Sequence, residues 1–260
     1  MTGDRLKQLQ EYSGEDKIVT SHELRIAMSK EKDTCVNVMS QIPGIDAAMD
    51  GFRGGELITI SGPTKHGKTL FAQTLTVNFA KQYAFPLWFS FEVPARQFLS
   101  QFRELPLIYM PQKLKPRAMD WFEERVNESF VKFNTRIIFI DHLHYLVDLA
   151  RQKQTSLEIG SIIRQLKTIA VQNDFVIFLL CHTTKGRQDG VLSYDSIRDS
   201  SFISQESDSV IMVKRTPDEG ENTARARVEF HRRTGVMERV VNLHKVGWYL
   251  KERIVIEDKS

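Results

Sequence analysis

The segment Gly62-Pro-Thr-Lys-His-Gly-Lys-Thr69 matches the pattern G-x-x-x-x-G-K-[ST] at every fixed position. It follows an apolar run, ELITIS, and leads into the helical pattern LFAQTLTVNFA. Glycines let such a loop turn its N–H groups towards phosphate oxygens, and the following helix adds the positive end of its dipole. The segment therefore predicts a nucleotide site in which Lys68 contacts the β- and γ-phosphates and Thr69 offers its hydroxyl to Mg²⁺. The predicted nucleotide-binding residues are Gly62, Pro63, Thr64, Lys65, His66, Gly67, Lys68, Thr69 and Leu70.

Outward from this loop, short apolar runs alternate with helical patterns. The strand-like runs are residues 56–61, 87–92, 136–141 and 175–182, and the helical patterns are residues 67–82, 94–104, 117–131 and 156–172. Nearly continuous apolar strands are typical of parallel strands that are covered on both faces. Three more strand-like runs, at residues 209–214, 225–232 and 240–251, lack intervening helices and are predicted to pair antiparallel at one edge. The predicted fold class is α/β, with a mostly parallel central sheet flanked by helices and antiparallel C-terminal hairpins.

Three of the predicted strands end in polar residues that suit nucleotide hydrolysis. Such a reaction needs an acid near Mg²⁺ and a group that orients the attacking water. Because the carboxyl ends of parallel strands share one edge, we predict Asp141 as the metal-side acid and Glu92 as the catalytic base. His182 ends the fourth strand, where it either contacts the γ-phosphate and reports hydrolysis or caps the strand as a structural histidine.

Length and composition limit the class of protein. The chain has 260 residues, 41% of them apolar, which is enough for one large domain with a core. No run is long and apolar enough to span a bilayer, and the charged N-terminus lacks the apolar segment of a signal peptide, so a soluble, cytoplasmic protein is expected. Two distant cysteines, Cys35 and Cys181, indicate neither a disulfide framework nor a zinc site. A formal charge of +3 permits a nucleic-acid partner without requiring one.

The first part of the chain differs in composition from the rest. Residues 1–36 are polar and highly charged, with one plausible short helix from residue 21 to residue 32. We predict an N-terminal extension or linker helix over residues 1–36 and an ATPase domain over residues 37–260. The pattern leaves open whether the extension is a flexible tail or an arm that docks on a neighbouring subunit.

Several ordered segments resemble the C-terminal motor domain of DnaB-type replicative helicases, within the RecA-like superfamily. The resemblance runs from about residue 42 to residue 248 and does not rest on the phosphate loop alone. It includes the entry segment IPGIDAAMDG, the strand FSFE that would carry the catalytic glutamate, and the strand end IDHL. It also includes the helix that begins SLEI, the stretch SIRDS with Ile203, Gln205 and Asp208, and the hairpin segment HRRTG.

The resemblance implies an ATP-dependent ring with single-stranded DNA in its channel and assigns further residues. Arg233 would be an arginine finger that acts on ATP bound by the next subunit, with His231 at the place of a second cation. His231 stands where the family usually has lysine, and a histidine there is mostly neutral at pH 7. His182 stands where bacterial members usually have glutamine. The DNA loops would be residues 149–155 and 185–193, with contacts from Arg151, Lys153, Lys185, Gly186 and Arg187.

The sequence is compatible with three functions. The first is a hexameric, ATP- and Mg²⁺-dependent DNA helicase in replication, a stand-alone motor of the kind expected from a phage or other mobile element and located in the host cytoplasm. It would work with the primase or polymerase of the same replisome. The second is a RecA- or RadA-like recombination or repair ATPase that binds DNA without processive unwinding. The third is a scaffold that uses ATP only to hold an assembly together.

Overall fold

The structure is a computed structural model that describes residues 3–14, 16–30, 36–146, 155–182 and 200–253. The chain divides into two compact units, Met1–Cys35 and Val36–Ser260. Within the described residues, no helix has the length and apolar character needed to cross a membrane.

The first unit contains two short helices. Helix α1 spans Gly3–Gln10 and α2 spans Ser21–Lys30. A reciprocal capping box precedes α2: the N–H and hydroxyl of Thr20 donate to the Glu23 carboxylate, and the Glu23 N–H donates to the Thr20 hydroxyl. The predicted helix near residues 21–32 is therefore confirmed, whereas α1 was not expected because the sequence there is too polar for a clear helical pattern.

In the second unit, helices lie between successive strands from the third strand to the seventh. Its strands are β1 (Asn37–Val38), β2 (Phe52–Arg53), β3 (Leu57–Ser61), β4 (Leu87–Ser90), β5 (Ile137–Asp141), β6 (Val176–Leu180), β7 (Ser209–Arg215), β8 (Thr223–His231), β9 (Val236–Val246) and β10 (Tyr249–Glu252). Its helices are α3 (Pro43–Met49), α4 (Lys68–Ala80), α5 (Ala95–Ser100), α6 (Met119–Phe133), α7 (Thr155–Asn173) and α8 (Ser200–Glu206), with 3-10 turns at Leu143–Tyr145 and Pro217–Glu219.

Eight of the strands form the central sheet, in the order β10-β9-β8-β7-β3-β6-β5-β4. The five strands from β7 to β4 are parallel, and β8, β9 and β10 extend the sheet in antiparallel pairs. The predicted α/β class, with a mostly parallel sheet and antiparallel C-terminal hairpins, is confirmed. The phosphate-loop strand β3 lies at the centre, between β6 and β7.

Three details of the predicted elements were wrong. Strand β7 pairs parallel with β3 as well as antiparallel with β8, because α8 precedes it and returns the chain to the sheet. The single strand predicted over residues 240–251 is the hairpin β9–β10, which turns at Gly247 with a φ of +62°. The helix predicted over residues 94–104 is shorter, because α5 ends at Ser100.

The core lies on both faces of the sheet, as the continuously apolar strands predicted. On one face α4 packs through Phe71, Leu75 and Phe79, and on the other α7 packs through residues such as Ile163 and Leu166. Trp88, Phe139 and Phe178 stack across β4, β5 and β6, with ring centroids 4.6 and 4.5 Å apart. These fully buried rings lie at paired interior positions of the three strands, and the carboxyl ends of the same strands carry the candidate site.

Candidate nucleotide site

The phosphate loop has the geometry that its sequence predicts. It joins the end of β3 at Ser61 to the start of α4 at Lys68, and Gly67 is the N-cap of that helix with a φ of +93°. Three residues of the loop have left-handed backbone conformations, namely Gly62, Lys65 and Gly67. Together with the free N–H groups of the first turn of α4, this loop forms a concave set of donors suited to phosphate.

Gly62 is required by a close approach as well as by its backbone conformation. Its φ is +147°, and a Cβ at this position would overlap the carbonyl oxygen of Val213 on the neighbouring strand β7. No flexible side chain is available to move aside, because the nearest atoms are all backbone atoms of Val213. The loop therefore packs directly against β7.

Replacing Gly62 with alanine is expected to destabilise the fold by about 2 kcal/mol or more, combining backbone strain with a steric overlap. Gly235→Ala is the matched control, because Gly235 also has a positive φ, +71°, but nothing lies within 4 Å of a Cβ there. Thermal unfolding should show a clearly larger loss for Gly62→Ala than for Gly235→Ala. Equal losses would mean that the contact with Val213 does not constrain the loop.

Lys68 points back into the loop. Its Nζ donates hydrogen bonds of 2.9 Å to the carbonyl oxygens of Gly62 and Pro63, and the residue is only 6% exposed. Burial lowers the pKa of Lys68 from its ordinary value, while the negative charges of Asp141 and Glu92 act in the opposite direction. The ammonium is thus held inside the loop, on the side of the two carboxylates.

Thr69 and Asp141 meet beside the loop. The Thr69 hydroxyl donates to Asp141 Oδ2 over 3.0 Å, although the two residues are 72 positions apart in the chain. Burial, together with the nearby charge of Glu92, raises the pKa of Asp141 to about 6, against the effects of the Thr69 hydrogen bond and the Lys68 charge. A hydroxyl and a carboxylate are oxygen ligands of the kind that Mg²⁺ takes beside a nucleotide, so this pair fits the predicted metal site.

Glu92 and His182 lie at the same edge of the sheet. The N–H groups of Phe91 and Glu92 donate to the carbonyl oxygen of Asp141, at 2.7 and 3.2 Å, which ties the segment after β4 to the end of β5. Glu92 Oε2 is 3.7 Å from His182 Nε2, and 39% of the Glu92 side chain is exposed. The sheet therefore brings together four predicted site residues, Lys68, Asp141, Glu92 and His182.

His142 is a member of this group that sequence reasoning missed. Its ring meets the His182 ring edge to face, with centroids 4.6 Å apart, and it also lies 5.0 Å from the ring of Tyr145. The available signal was its position directly after Asp141, at the end of the same strand. Adjacent strands place such neighbours side by side, but a single sequence does not say which strands are adjacent.

A cavity of about 190 Å³ opens on the other side of the phosphate loop. His66 Nδ1 accepts the backbone N–H of Arg215 over 3.2 Å and so connects the loop to the end of β7. The lining residues are Lys65, His66, Gly67, Leu70, Arg215, Glu221, Asn222, Thr223, Ala224, Lys245 and Leu250. No motif predicted this cavity, because its walls come from the phosphate loop and from C-terminal segments that are distant in the chain.

Arg233 lies away from the phosphate loop of its own chain. It donates to the carboxylates of Glu56 and Asp50, at 2.8 and 3.2 Å, and to the carbonyl oxygens of Met49 and Gly51. Glu56 directly precedes β3, whereas the phosphate loop follows its end, so the five residues of β3 separate the two by about 17 Å. Arg233 therefore cannot act on a nucleotide in its own loop, and 26% of its side chain is exposed.

His231 is placed differently from what the family resemblance implied. Its side chain is fully buried, with Nδ1 2.9 Å from the Thr234 hydroxyl and Nε2 3.3 Å from Glu56 Oε1. Burial alone would raise the pKa of Glu56, but hydrogen bonds from His231, the Arg53 N–H and Arg233 hold it below its ordinary value. This geometry argues against the predicted nucleotide contact of His231, because neither ring nitrogen reaches the surface.

Asp208, from the stretch that carried the family resemblance, organises the same end of the sheet. Its Oδ2 accepts the ammonium of Lys167 at 2.6 Å and the N–H of Leu57 at 2.8 Å. Lys167 also donates to the carbonyl oxygen of Gly55. These contacts join α7, the start of β3 and the start of β7.

The predicted DNA-binding residues Arg151, Lys153, Lys185, Gly186 and Arg187 lie outside the described residues.

The fold and the site together define a RecA-like nucleotide-binding domain with a phosphate loop and two acids at the ends of neighbouring strands. The chain matches the family model for the DnaB-like helicase C terminal domain over residues 100–247, and the KaiC ATPase model over residues 38–107. The first match covers more than half of the chain. This chain belongs to the DnaB-like helicase C-terminal domain family.

Individual relatives agree with this assignment. A protein described as a probable replicative DNA helicase from Trieres chinensis is 22% identical in an alignment over 228 residues, which covers 74% of this chain and 50% of the relative. The chain therefore spans half the length of that relative. A solved structure described as an ATPase domain superposes with a TM-score of 0.75 at 17% identity, covering 90% of this chain and 97% of that domain. A second solved structure is described as a DnaB-like replicative helicase and its interactions with primase. It superposes with a TM-score of 0.74 at 17% identity, and the match covers 95% of this chain and 70% of the helicase chain.

Proposed function

We propose that residues 37–260 are the ATP-driven motor of a ring-forming helicase that moves on single-stranded DNA in replication. One observation carries the proposal: Lys68, Asp141 and Glu92 converge at one end of the parallel sheet, while Arg233 lies at the opposite end of β3. An ATPase that works as a single copy needs its catalytic cations beside its own nucleotide, and Arg233 lies too far from the phosphate loop of its chain for that task. Here the arginine can serve only a nucleotide held by another copy.

In this proposal each residue has a distinct part in hydrolysis. The loop N–H groups and Lys68 would bind the phosphates. Thr69 and Asp141 would hold Mg²⁺, and the ion would supply positive charge to offset that of the phosphates. Glu92 orients the attacking water and accepts its proton, which its exposed position permits. The cavity beside His66 and Arg215 would receive the sugar and base of ATP, because it opens from the phosphate loop away from the carboxylates.

The coupling to DNA would follow the strand ends. His182 contacts Glu92 and directly precedes the segment that holds Lys185 and Arg187. Asp141 precedes the segment that holds Arg151 and Lys153. A change at the γ-phosphate would thus move two basic loops, whose lysines, arginines and backbone amides bind DNA phosphates without reading sequence.

The partners follow from the same proposal. Because the finger acts between copies, the working form is an oligomer, and the family resemblance implies a closed ring of six subunits. A primase or polymerase of the same replisome would act beside it, and the site of action would be the cytoplasm, or the host cytoplasm for a mobile-element protein. Residues 1–36 would serve as a linker to the motor domain.

The test is ATP turnover measured with and without single-stranded DNA. The proposal expects DNA to stimulate turnover, because DNA held by the loops favours the subunit contacts that deliver Arg233. A scaffold that uses ATP only for assembly would show no stimulation. A recombination-type ATPase would show stimulation without strand separation, so strand separation must be measured as well.

The variant Glu92→Gln is expected to bind ATP with near-normal affinity and to lose turnover by roughly a hundredfold or more, the contribution of a general base. Glutamine keeps the shape of the side chain but cannot take a proton from water. Single-turnover hydrolysis and binding of a fluorescent ATP analogue measure the two effects separately. Glu104→Gln is the matched control at an exposed glutamate outside the site. If affinity collapses while bound ATP still turns over, Glu92 has a structural part instead.

Neutralising both Lys185 and Arg187 is expected to weaken single-stranded DNA binding and to flatten its salt dependence. Each lost phosphate contact should reduce the slope of log affinity against log salt by about 0.7. The control is the double variant Lys113→Ala, Lys115→Ala, which removes the same charge from exposed positions before α6. An unchanged slope in the loop variant, or an equal change in the control, would place the DNA elsewhere.

A further inference from the structure

Three side chains that commonly bind transition metals meet at the edge of the sheet. Glu92, His142 and His182 each offer one ligand atom, and these atoms all lie within 4.8 Å of one another. The residues follow three adjacent parallel strands, β4, β5 and β6, so the sheet itself sets their spacing. Across the described ranges of the chain, no other group of three histidine, cysteine, aspartate or glutamate side chains comes this close.

Two imidazoles and one carboxylate form a ligand set that Zn²⁺ binds, with a fourth position left for water. Bonds of about 2.0–2.1 Å in a tetrahedral site place ligand atoms about 3.3 Å apart. Glu92 Oε2 and His182 Nε2 are already 3.7 Å apart, and the rings of His142 and His182 touch edge to face. The ligand atoms, now within 4.8 Å of one another, would have to approach by up to about 1.5 Å to reach this spacing. The Glu92 side chain, 39% exposed, has room to move towards the two rings.

We propose that Glu92, His142 and His182 form a binding site for Zn²⁺ or a similar borderline divalent transition ion, separate from the Mg²⁺ pair of Thr69 and Asp141. The two sites differ in the chemical hardness of their ligand atoms. Mg²⁺ prefers oxygen ligands and keeps several waters, which suits the hydroxyl and carboxylate beside the phosphate loop. Imidazole nitrogens favour Zn²⁺, Co²⁺ or Ni²⁺ over Mg²⁺, so excess Mg²⁺ does not fill the histidine site.

The expected consequence is inhibition without loss of ATP binding, and this part rests on the proposed role of Glu92. A carboxylate bound to Zn²⁺ no longer accepts the proton of the attacking water. The phosphate loop and Lys68 are untouched, so the nucleotide stays bound while turnover stops. The ion would thus hold the motor in an ATP-bound state until a chelator removes it.

The first measurement is the titration of Zn²⁺, and separately of Co²⁺, into the nucleotide-free chain in excess Mg²⁺. The proposal expects one ion per chain and, for Co²⁺, the visible absorption of a low-coordinate ion. His142→Ala should weaken binding by about a hundredfold, because even an outer-shell partner contributes 10- to 100-fold. The control is His244→Ala, which changes a histidine on β9, near the opposite edge of the sheet from β4. This variant should bind the ion as the unaltered chain does. No bound ion, or equal binding by His142→Ala, would overturn the proposal.

The second measurement is ATP turnover and ATP-analogue binding at buffered free Zn²⁺. Turnover of the unaltered chain and of His244→Ala should fall with occupancy of the site and recover with chelator, while analogue binding persists. His142→Ala should keep its own turnover at the same free Zn²⁺. Full occupancy of the metal site without inhibition of ATP turnover would overturn the claim that the bound ion prevents Glu92 from acting as a base. A chain that shows no turnover even without Zn²⁺ would instead contradict the proposed function, and the titration would still decide the metal site.

Discussion

Lys68→Ala is expected to abolish measurable ATP turnover and to weaken nucleotide binding strongly. The lysine ammonium is buried inside the phosphate loop, 2.9 Å from two loop carbonyl oxygens, so it is in place to contact phosphate charge with little further desolvation. Removing one preorganised donor to a developing charge costs about 10² to 10³ in rate, and lost ground-state binding adds to that. Turnover and analogue binding should both be measured, because both effects are expected.

The fold should survive this change. Burial disfavours the Lys68 charge, and its pKa is lowered accordingly, whereas its hydrogen bonds to the Gly62 and Pro63 carbonyl oxygens favour it. Because these effects oppose each other, we expect only a modest change in thermal unfolding. Lys81→Ala is the matched control, because it removes a lysine at the opposite end of the same helix. Turnover that is retained in Lys68→Ala would refute the assignment of the phosphate loop.

The second large effect is expected for Arg233→Ala, which should bind ATP normally and hydrolyse it about 10³- to 10⁵-fold more slowly, the range known for arginine fingers. Arginine suits this task because it stays charged and presents a planar fork of donors to oxygen. In the single chain Arg233 contacts Glu56, Asp50 and the carbonyl oxygens at the end of α3, so it must leave some of these contacts to reach a neighbour's nucleotide. Unfolding of the variant should be measured alongside, because those contacts also stabilise the chain.

Mixed assemblies distinguish a catalytic role of Arg233 at a neighbour's nucleotide from a structural role within its own chain. Oligomers of Lys68→Ala and Arg233→Ala contain some interfaces with an intact lysine on one side and an intact arginine on the other. These interfaces should recover part of the turnover that neither variant has alone, and the recovery should fade on dilution. Arg232→Ala is the control, since Arg232 contacts the carbonyl oxygen of Gln205 and not Glu56. No recovery in demonstrably mixed oligomers, or an equal loss in Arg232→Ala, would leave Arg233 as a structural residue only.

Much of this site was predictable because its signals are local. The loop from Gly62 to Thr69 carries its own geometry in two glycines and a following helix, and Asp141 and Glu92 are polar residues at the ends of apolar strands. Strands with that pattern must be covered on both faces, which limits the fold to a helix-flanked parallel sheet. The convergence of the two acids on Lys68 then follows from parallel strands sharing one edge.

The unpredicted parts depend on which strands and segments become neighbours. Val213 lies against Gly62 because β7 pairs parallel with β3. Neither segment carries a sequence signal that predicts this pairing. The proximity of His142 to His182 likewise requires β5 to lie beside β6. The resemblance put His231 at the place of a second cation, and the sequence does not reveal that Glu56 and Thr234 enclose its ring.

The most direct test of a ring motor is the separation of a forked DNA duplex with a single-stranded tail, followed over time with ATP and Mg²⁺. We expect strand separation that requires hydrolysis, stops with a non-hydrolysable analogue, and is lost in both Lys68→Ala and Arg233→Ala. The same reaction with mixed oligomers of these two variants should recover part of the separation. DNA-stimulated ATP turnover by an assembled ring that never separates the fork would show that the protein is not a helicase motor.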